Sequence, residues 1–386
     1  MKKKILIVHN FYKEFGGEDA NINEEVEFFS QDYEVKFFST ENNERLNLYD
    51  LFSLFIQSNK KYNKKFYQIL KSFKPDVVYV HNTWFKLNLG IFKILQSENV
   101  KTVVKIHSFR YECSRYFLKK NHLKNQIRCK SCGFERSNAI FFNKYYSESL
   151  IKSFFLILYS KKYFKIITSR FFNLISLNQF QKEKLIQCGI KGDNISVIAN
   201  PINFKPLNKS VNKNNILIYA GRISEEKGVD ELLNAWKYSD LSNYLLYIIG
   251  DGPYKKYLQE KYRNIENVEF LGAMSNEKVL KIMLESKAVV TATTLYEGQP
   301  RLLCEASSSG VVSIYPSFGG MDEFFPEEYN FSFEQYNYDD LIKKINLVSN
   351  EKVLSYESNR VYSNILKKLE KEKLISKFEK IFFEKN

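Results

Sequence analysis

The stretch Lys287–Gly310, KAVVTATTLYEGQPRLLCEASSSG, reads as strand, loop and helix. Ala288–Thr291 is a short apolar, β-branched run suited to a buried strand. Tyr296–Gln299 is a loop. Pro300 suits the first helical position, where its missing N–H costs nothing. Leu302, Leu303 and Ala306 can face a core, and Gly310 ends the helix before a further strand, Val311–Tyr315. An acid-bearing loop therefore sits at a strand end against a helix start, whose free N–H groups favour an anion. Glu297 precedes the helix and Glu305 lies inside it, one turn beyond Arg301. Alone, this E-x7-E spacing also fits two surface glutamates of an ordinary βαβ unit, so its weight depends on the rest of the chain.

Working outward, strand and helix patterns alternate on both sides. On the amino-terminal side, Lys3–Val8, Tyr33–Phe38, Val77–His81, Thr102–His107, Ile175–Leu177 and Ile195–Ile198 read as strands. Helices are expected at Ile22–Ser30, Tyr62–Phe73 and Asn178–Cys188. Gly16-Gly17 lie in the first loop, where they permit close backbone approach to a ligand. His81 and His107 end their strands, the place where open parallel sheets bind ligands. A polar stretch, Asn203–Asn215, marks a domain boundary. Alternation restarts at Ile216–Ala220, followed by GRISEEKG, where Ser224 can cap a helix Val229–Trp236. Strands Leu245–Ile249 and Val268–Leu271 follow, with Gly250-Asp251-Gly252 after the first; Ser275 can cap the helix after the second. Ser317–Glu323 is another glycine loop, and residues 338–386 are helical and charged. The expected fold class is α/β, with two doubly wound domains.

The chain has 386 residues, 44% hydrophobic and 26% charged, as in a soluble globular protein. Its longest apolar run, Phe154–Tyr159, falls far short of the ~18–20 residues that span a bilayer, and no secretory signal is seen. Five cysteines and no export signal point to a reducing cytoplasm. The net charge of +14 is uneven: residues 1–205 carry +16, residues 206–386 carry −2, and 81–170 alone carry +14. Such a localised field points to an anionic partner: a membrane surface, a phosphate-bearing substrate or nucleic acid. Within it, residues 140–172 mix aromatics with Lys and Arg; they fit either a membrane interface or a core helix under a charged face. Cys113, Cys129 and Cys132, with His107 or His122, form a candidate zinc set that has one C-x2-C pair where a strong signal has two.

Together these residues resemble the family 4 glycosyltransferases, retaining enzymes of the GT-B fold. YAGRISEEKG with E-x7-E is the specific part. GG in the first loop, PDVVYVHN, KIHS, SLNQFQKEKLIQCGI…VIANP, IIGDGP, FLGAMS and FGGMDEF follow in order along nearly the whole chain. Within the family the chain looks most like bacterial enzymes that build capsule, O-antigen or exopolysaccharide. The resemblance implies two Rossmann-like domains facing across a cleft. Residues 1–204 would take the acceptor, residues 205–364 the nucleotide-diphospho-sugar, and a last helix near 365–386 would pack back on the first domain.

Carried over, Arg222 and Lys227 would grip the donor diphosphate, and Glu305 the ribose hydroxyls. Glu297 and His107 would lie by the reacting sugar. Gly16, Gly17, Gly250, Met274, Gly298, Gln299, Pro300 and Arg301 would complete the donor site. The resemblance implies no cofactor and no divalent metal, the nucleotide sugar being a substrate. The expected partners are that donor, a lipid-linked or oligosaccharide acceptor, and an anionic membrane reached through 81–170, with no nucleic acid. The expected place is the cytoplasm, with peripheral attachment to the inner face of the cell membrane. The alternatives are a GT-B nucleotide-sugar epimerase and, in a different class, a basic nucleic-acid-binding protein.

Overall fold

The computed structural model describes residues 2–11, 17–42, 48–84, 86–107, 109, 150–202 and 213–384. The chain forms two compact units, Met1–Pro201 with Lys371–Asn386, and Ile202–Glu370.

The first unit runs β1 (Lys4–Phe11), α1 (Gly17–Ser30), β2 (Glu34–Glu41), α2 (Leu48–Ile56), α3 (Lys60–Phe73), β3 (Val77–Val80), α4 (Gly90–Ser97), β4 (Thr102–Lys105), α5 (Leu150–Ile167), β5 (Asn173–Ser176), α6 (Gln179–Gln187) and β6 (Ile195–Val197). Its strands form one parallel sheet in the order β2-β1-β3-β4-β5-β6. Ile5–Val8, Val77–Val80, Val103 and Val104 are fully buried. They read as unbroken apolar runs because helices cover both faces of a parallel sheet. The strand order reverses between β1 and β3, which opens a crevice at the carboxyl ends of those strands.

The second unit runs β7 (Asn214–Ala220), α7 (Val229–Lys237), β8 (Leu245–Ile249), α8 (Lys255–Lys261), β9 (Val268–Gly272), α9 (Asn276–Glu285), β10 (Ser286–Val290), α10 (Arg301–Ser307), β11 (Val312–Ser317), β12 (Ser332–Glu334), α11 (Tyr338–Leu347) and α12 (Glu351–Lys368). Its parallel sheet has the order β12-β11-β10-β7-β8-β9. Here the reversal falls between β7 and β10, between the loops that carry GRISEEKG and YEGQPR.

A last helix, α13 (Lys371–Phe383), belongs to the first unit. Its Phe378 ring lies 4.9 Å from Phe29 and 6.1 Å from Tyr79, and Phe382 lies 5.0 Å from Tyr79. Tyr33 donates to Glu379 at 3.0 Å. Phe378 and Phe382 are each 1% exposed, so each contributes about 1.5–3 kcal/mol of apolar burial.

Several local expectations are corrected. α1 starts at Gly17 rather than Ile22, so Gly17 is an exposed first-turn residue of a helix. Ser224 does not cap α7. Its hydroxyl donates to Glu226 at 2.7 Å, a 3-10 turn Glu225–Lys227 intervenes, and Gly228 stands at the helix start. Pro300 flanks α10 as its N-cap instead of occupying its first position. β3 and β4 stop before His81 and His107, which lie just beyond the strand ends. Among the described residues, no helix is long and apolar enough to cross a membrane.

Candidate active site

In the second unit three loops converge at the reversal between β7 and β10. Gly228 has φ +68°, and a Cβ there would sit 2.0 Å from the Ala292 carbonyl oxygen. Glycine thus lets the turn after β7 lie directly on the loop after β10. The amide of Thr294 donates to the Glu226 carbonyl at 3.0 Å, and the Thr294 hydroxyl donates to the same oxygen at 3.1 Å. Lys227 Nζ is thereby held 3.0 Å from Glu297 Oε1, the two side chains 29% and 26% exposed. Burial works to lower the Lys227 pKa. The charge of Glu297, helped by Tyr219 and Glu226, outweighs it and holds the ammonium above its ordinary range. The Glu297 amide in turn donates to Gly319 in the glycine loop after β11, at 3.3 Å.

Arg222 lies at the mouth of the same turn. Its carbonyl accepts from Tyr219 Oη at 2.8 Å, while its side chain is exposed and makes no ion pair among the described residues. The loop after β8 lies against it. Gly250 has φ +140°, and a Cβ would fall 1.9 Å from the Gly221 carbonyl oxygen. The amide of Ile223 donates to Asp251 at 2.8 Å, and that of Tyr254 donates to Ile223 at 3.1 Å. One exposed guanidinium and one salt-bridged ammonium thus border a glycine-lined floor, an arrangement suited to an anion.

The second acid of E-x7-E has a different neighbour. Arg301 Nε lies 2.9 Å from Glu305 Oε1, with side chains 15% and 9% exposed. Gly298, Gln299 and Pro300 are buried, and Met274 is half-buried. Lys227, Glu297, Arg301 and Glu305 therefore form two ion pairs, Lys227–Glu297 and Arg301–Glu305, while Arg222 stands outside them. The sequence reading placed all four in one site without assigning these pairs.

The first unit has a second polar cluster at its own reversal. His9, at the end of β1, places Nε2 2.9 Å from Asp19 Oδ1 of α1, both side chains fully buried. His81 Nδ1 lies 2.8 Å from His107 Nε2, the rings stacked at 5.1 Å. Behind them Lys105 Nζ donates to Glu25 Oε1, also fully buried. Burial, followed by neighbouring positive charge, pushes His81 and His107 well below the ordinary imidazole range, so both rings are neutral. Sequence reading singled out His81 and His107 but missed His9–Asp19 and Glu25–Lys105. The available signal was a lysine closing the buried strand TVVK, because a lysine inside a sheet needs an anion.

Gly16 and the set Cys113, Cys129 and Cys132 lie outside the described residues. Among the described residues no cluster of three or more metal-ligating side chains occurs.

Residues 202–368 match the family model for glycosyl transferases group 1. The matched span is the second unit almost to its ends. A 102-residue stretch is 31% identical to the amylovoran biosynthesis glycosyltransferase AmsD of Erwinia amylovora, covering 26% of this chain and 29% of that protein. A 115-residue stretch is 34% identical to a GDP-mannose-dependent alpha-mannosyltransferase of Corynebacterium glutamicum, covering 30% and 26%. The chain therefore spans less than a third of the length of either relative. The structure of Alr3699/HepE from Anabaena in complex with UDP superposes with a TM-score of 0.64, at 15% identity, over 98% of both chains. The two parallel-sheet, Rossmann-like units are those of the GT-B glycosyltransferase fold.

Proposed function

We propose that the protein is a retaining family 4 glycosyltransferase. It moves a sugar from a nucleotide-diphospho-sugar to a saccharide acceptor, lipid-linked, in bacterial surface-polysaccharide synthesis. The single observation that carries this reading is the Lys227–Glu297 pair, held by Gly228 at the strand-order reversal of the unit that matches glycosyl transferases group 1. Breaking a sugar–phosphate bond puts negative charge on the departing diphosphate. Lys227 and Arg222 stabilise that charge more in the transition state than in the ground state. Glu297 positions Lys227 and, as the first acid of the motif, lies by the transferred sugar; Glu305 accepts from the ribose diol. The diphosphate oxygen takes the proton of the attacking hydroxyl, which enters on the leaving-group side. No metal enters this scheme.

The test is turnover of candidate nucleotide sugars with lipid-linked acceptors, alongside nucleotide binding by Glu305→Ala. No turnover, together with undiminished binding by the variant, defeats the reading. Epimerised donor formed without an acceptor points instead to an epimerase.

The proposal extends to peripheral attachment at an anionic bilayer. α2 buries Ser53, and Gln57 just beyond it is buried, yet Tyr49, Phe52, Phe55 and Ile56 are between 39% and 60% exposed. Exposed Lys60, Lys61, Lys64 and Lys65 follow on α3. Aromatic side chains beside lysines suit an anionic lipid surface. This face precedes the 81–170 segment singled out by charge, much of which lies outside the described residues. Flotation with anionic but not neutral vesicles, lost in Phe52→Ser/Phe55→Ser, is the expected result; equal flotation of the variant removes this face from the proposal.

A further inference from the structure

Three of the chain's four histidines gather at the crevice of the first unit, and two of them stand in line with a buried ion pair. The line runs Lys105, Glu25, His81, His107. Glu25 Oε1 accepts from Lys105 and lies 3.5 Å from the Tyr79 hydroxyl, so that oxygen is occupied. Glu25 Oε2 lies 3.5 Å from His81 Nε2. Both atoms are buried, and neither has another hydrogen-bond partner among the described residues. A buried donor or acceptor left unmade is costly, and each of these two atoms is a group that can satisfy the other.

We propose that Lys105, Glu25 and His81 are positioning residues that lock His107 with its proton on Nε2, leaving Nδ1 as a bare acceptor for a sugar hydroxyl. In its pair with the Lys105 ammonium Glu25 is ionised, and a carboxylate oxygen such as Oε2 only accepts. His81 Nε2 therefore carries a proton. A neutral imidazole has one donor and one acceptor nitrogen, so His81 Nδ1 is bare. The 2.8 Å contact then requires the proton to be on His107 Nε2. His107 is neutral, and its remaining nitrogen, Nδ1, carries a lone pair. His107 is half-buried, whereas His81 is 3% exposed and Glu25 is fully buried. Only the end of the line can meet a ligand.

A bare nitrogen accepts from a hydroxyl and repels a phosphate oxygen. The cluster thus selects sugar hydroxyls over phosphate at this point. This inference rests on the transferase reading for the identity of the ligand, but the tautomer itself does not.

The test begins with the wild-type protein. Long-range proton–nitrogen correlations of the four histidine rings, with His107 assigned by His107→Gln, report which ring nitrogens carry protons. The expected result is a neutral His107 protonated on Nε2. A His107 protonated on Nδ1, or charged at neutral pH, overturns the proposal whatever the protein catalyses.

Glu25→Gln supplies the second arm. Its carbonyl stays toward the Lys105 ammonium, so its amide N–H turns toward His81 Nε2. That reverses the tautomers of His81 and then His107. kcat for sugar transfer is expected to fall roughly tenfold, with donor KM within about twofold. A variant that folds, keeps the wild-type His107 tautomer and loses activity equally would show a merely structural role. If no nucleotide sugar is turned over but the tautomer is as stated, the transferase reading fails and the tautomer assignment stands.

Discussion

Replacing Lys105 with Met removes the cation from a carboxylate that has no access to solvent. The Glu25 and Lys105 side chains are both 0% exposed, and the ammonium donates directly to Glu25 Oε1. At an effective dielectric of ~20, two unit charges 4 Å apart interact by about 4 kcal/mol. Removing one member of a buried pair costs about 3–5 kcal/mol, because the survivor stays buried and uncompensated. Methionine preserves most of the lysine's volume, so little of this is a cavity effect. Lys105→Met should therefore destabilise the first unit by about 3–5 kcal/mol, while Lys105→Met/Glu25→Leu should recover at least ~2 kcal/mol of it.

The chain offers a clean assay, because each unit holds one of its two tryptophans, Trp84 and Trp236. Urea unfolding followed by Trp84 fluorescence in a Trp236→Phe background reads the first unit alone, which matters because two units need not unfold together. The pH dependence has a defined sign. Burial raises the Glu25 pKa above 4.5, against the opposing charge and hydrogen bond of Lys105; without Lys105 only the Tyr79 hydroxyl still opposes the upward push. A carboxyl whose folded pKa is raised keeps its full contribution below the unfolded value and loses it as pH rises through the folded value. The penalty should be smallest near pH 4.5 and grow toward neutrality. A loss under about 1 kcal/mol, or a double variant as unstable as the sum of the singles, would refute the reasoning.

Lys227→Ala should lower sugar transfer on the order of a hundredfold, chiefly in kcat, in steady-state assays, with Lys227→Arg retaining part of the rate. Gly250→Ala should destabilise the second unit by at least ~1–3 kcal/mol, read by Trp236 fluorescence in urea, because φ +140° and the Gly221 carbonyl 1.9 Å from the new Cβ both oppose it. Phe378→Ala should cost the first unit about 3–5 kcal/mol in Trp84-monitored unfolding, since its ring fills the space between Phe29 and Tyr79.

The two sheets were legible because parallel strands covered on both faces leave unbroken apolar runs, such as ILIV and VVYV. The glycines after β7 and β8 were legible as loops, but the close backbone contacts at Gly228 and Gly250 were not. α2 escaped detection although Tyr49, Phe52, Phe55 and Ile56 are exposed on it, because exposed aromatic residues do not mark a core-facing stripe. β12 escaped because three residues carry almost no periodicity. Ser224 looked like a cap because the spacing to Val229 hides a 3-10 turn. In the site, Arg301–Glu305 was readable in principle as an i,i+4 pair. Glu25–Lys105 was not, because its partners lie 80 residues apart and meet only through the strand order.

The discontinuity of the first unit has a consequence for synthesis. Residues 371–383 supply Phe378 and Phe382 to a core begun by Phe29 and Tyr79, yet all of 202–370 is made in between. On the ribosome the segment begun earliest must wait with an aromatic face uncovered, while the inserted unit can already close. That core should therefore close only after synthesis, once Phe378 and Phe382 are clear of the ribosome and can reach Phe29 and Tyr79.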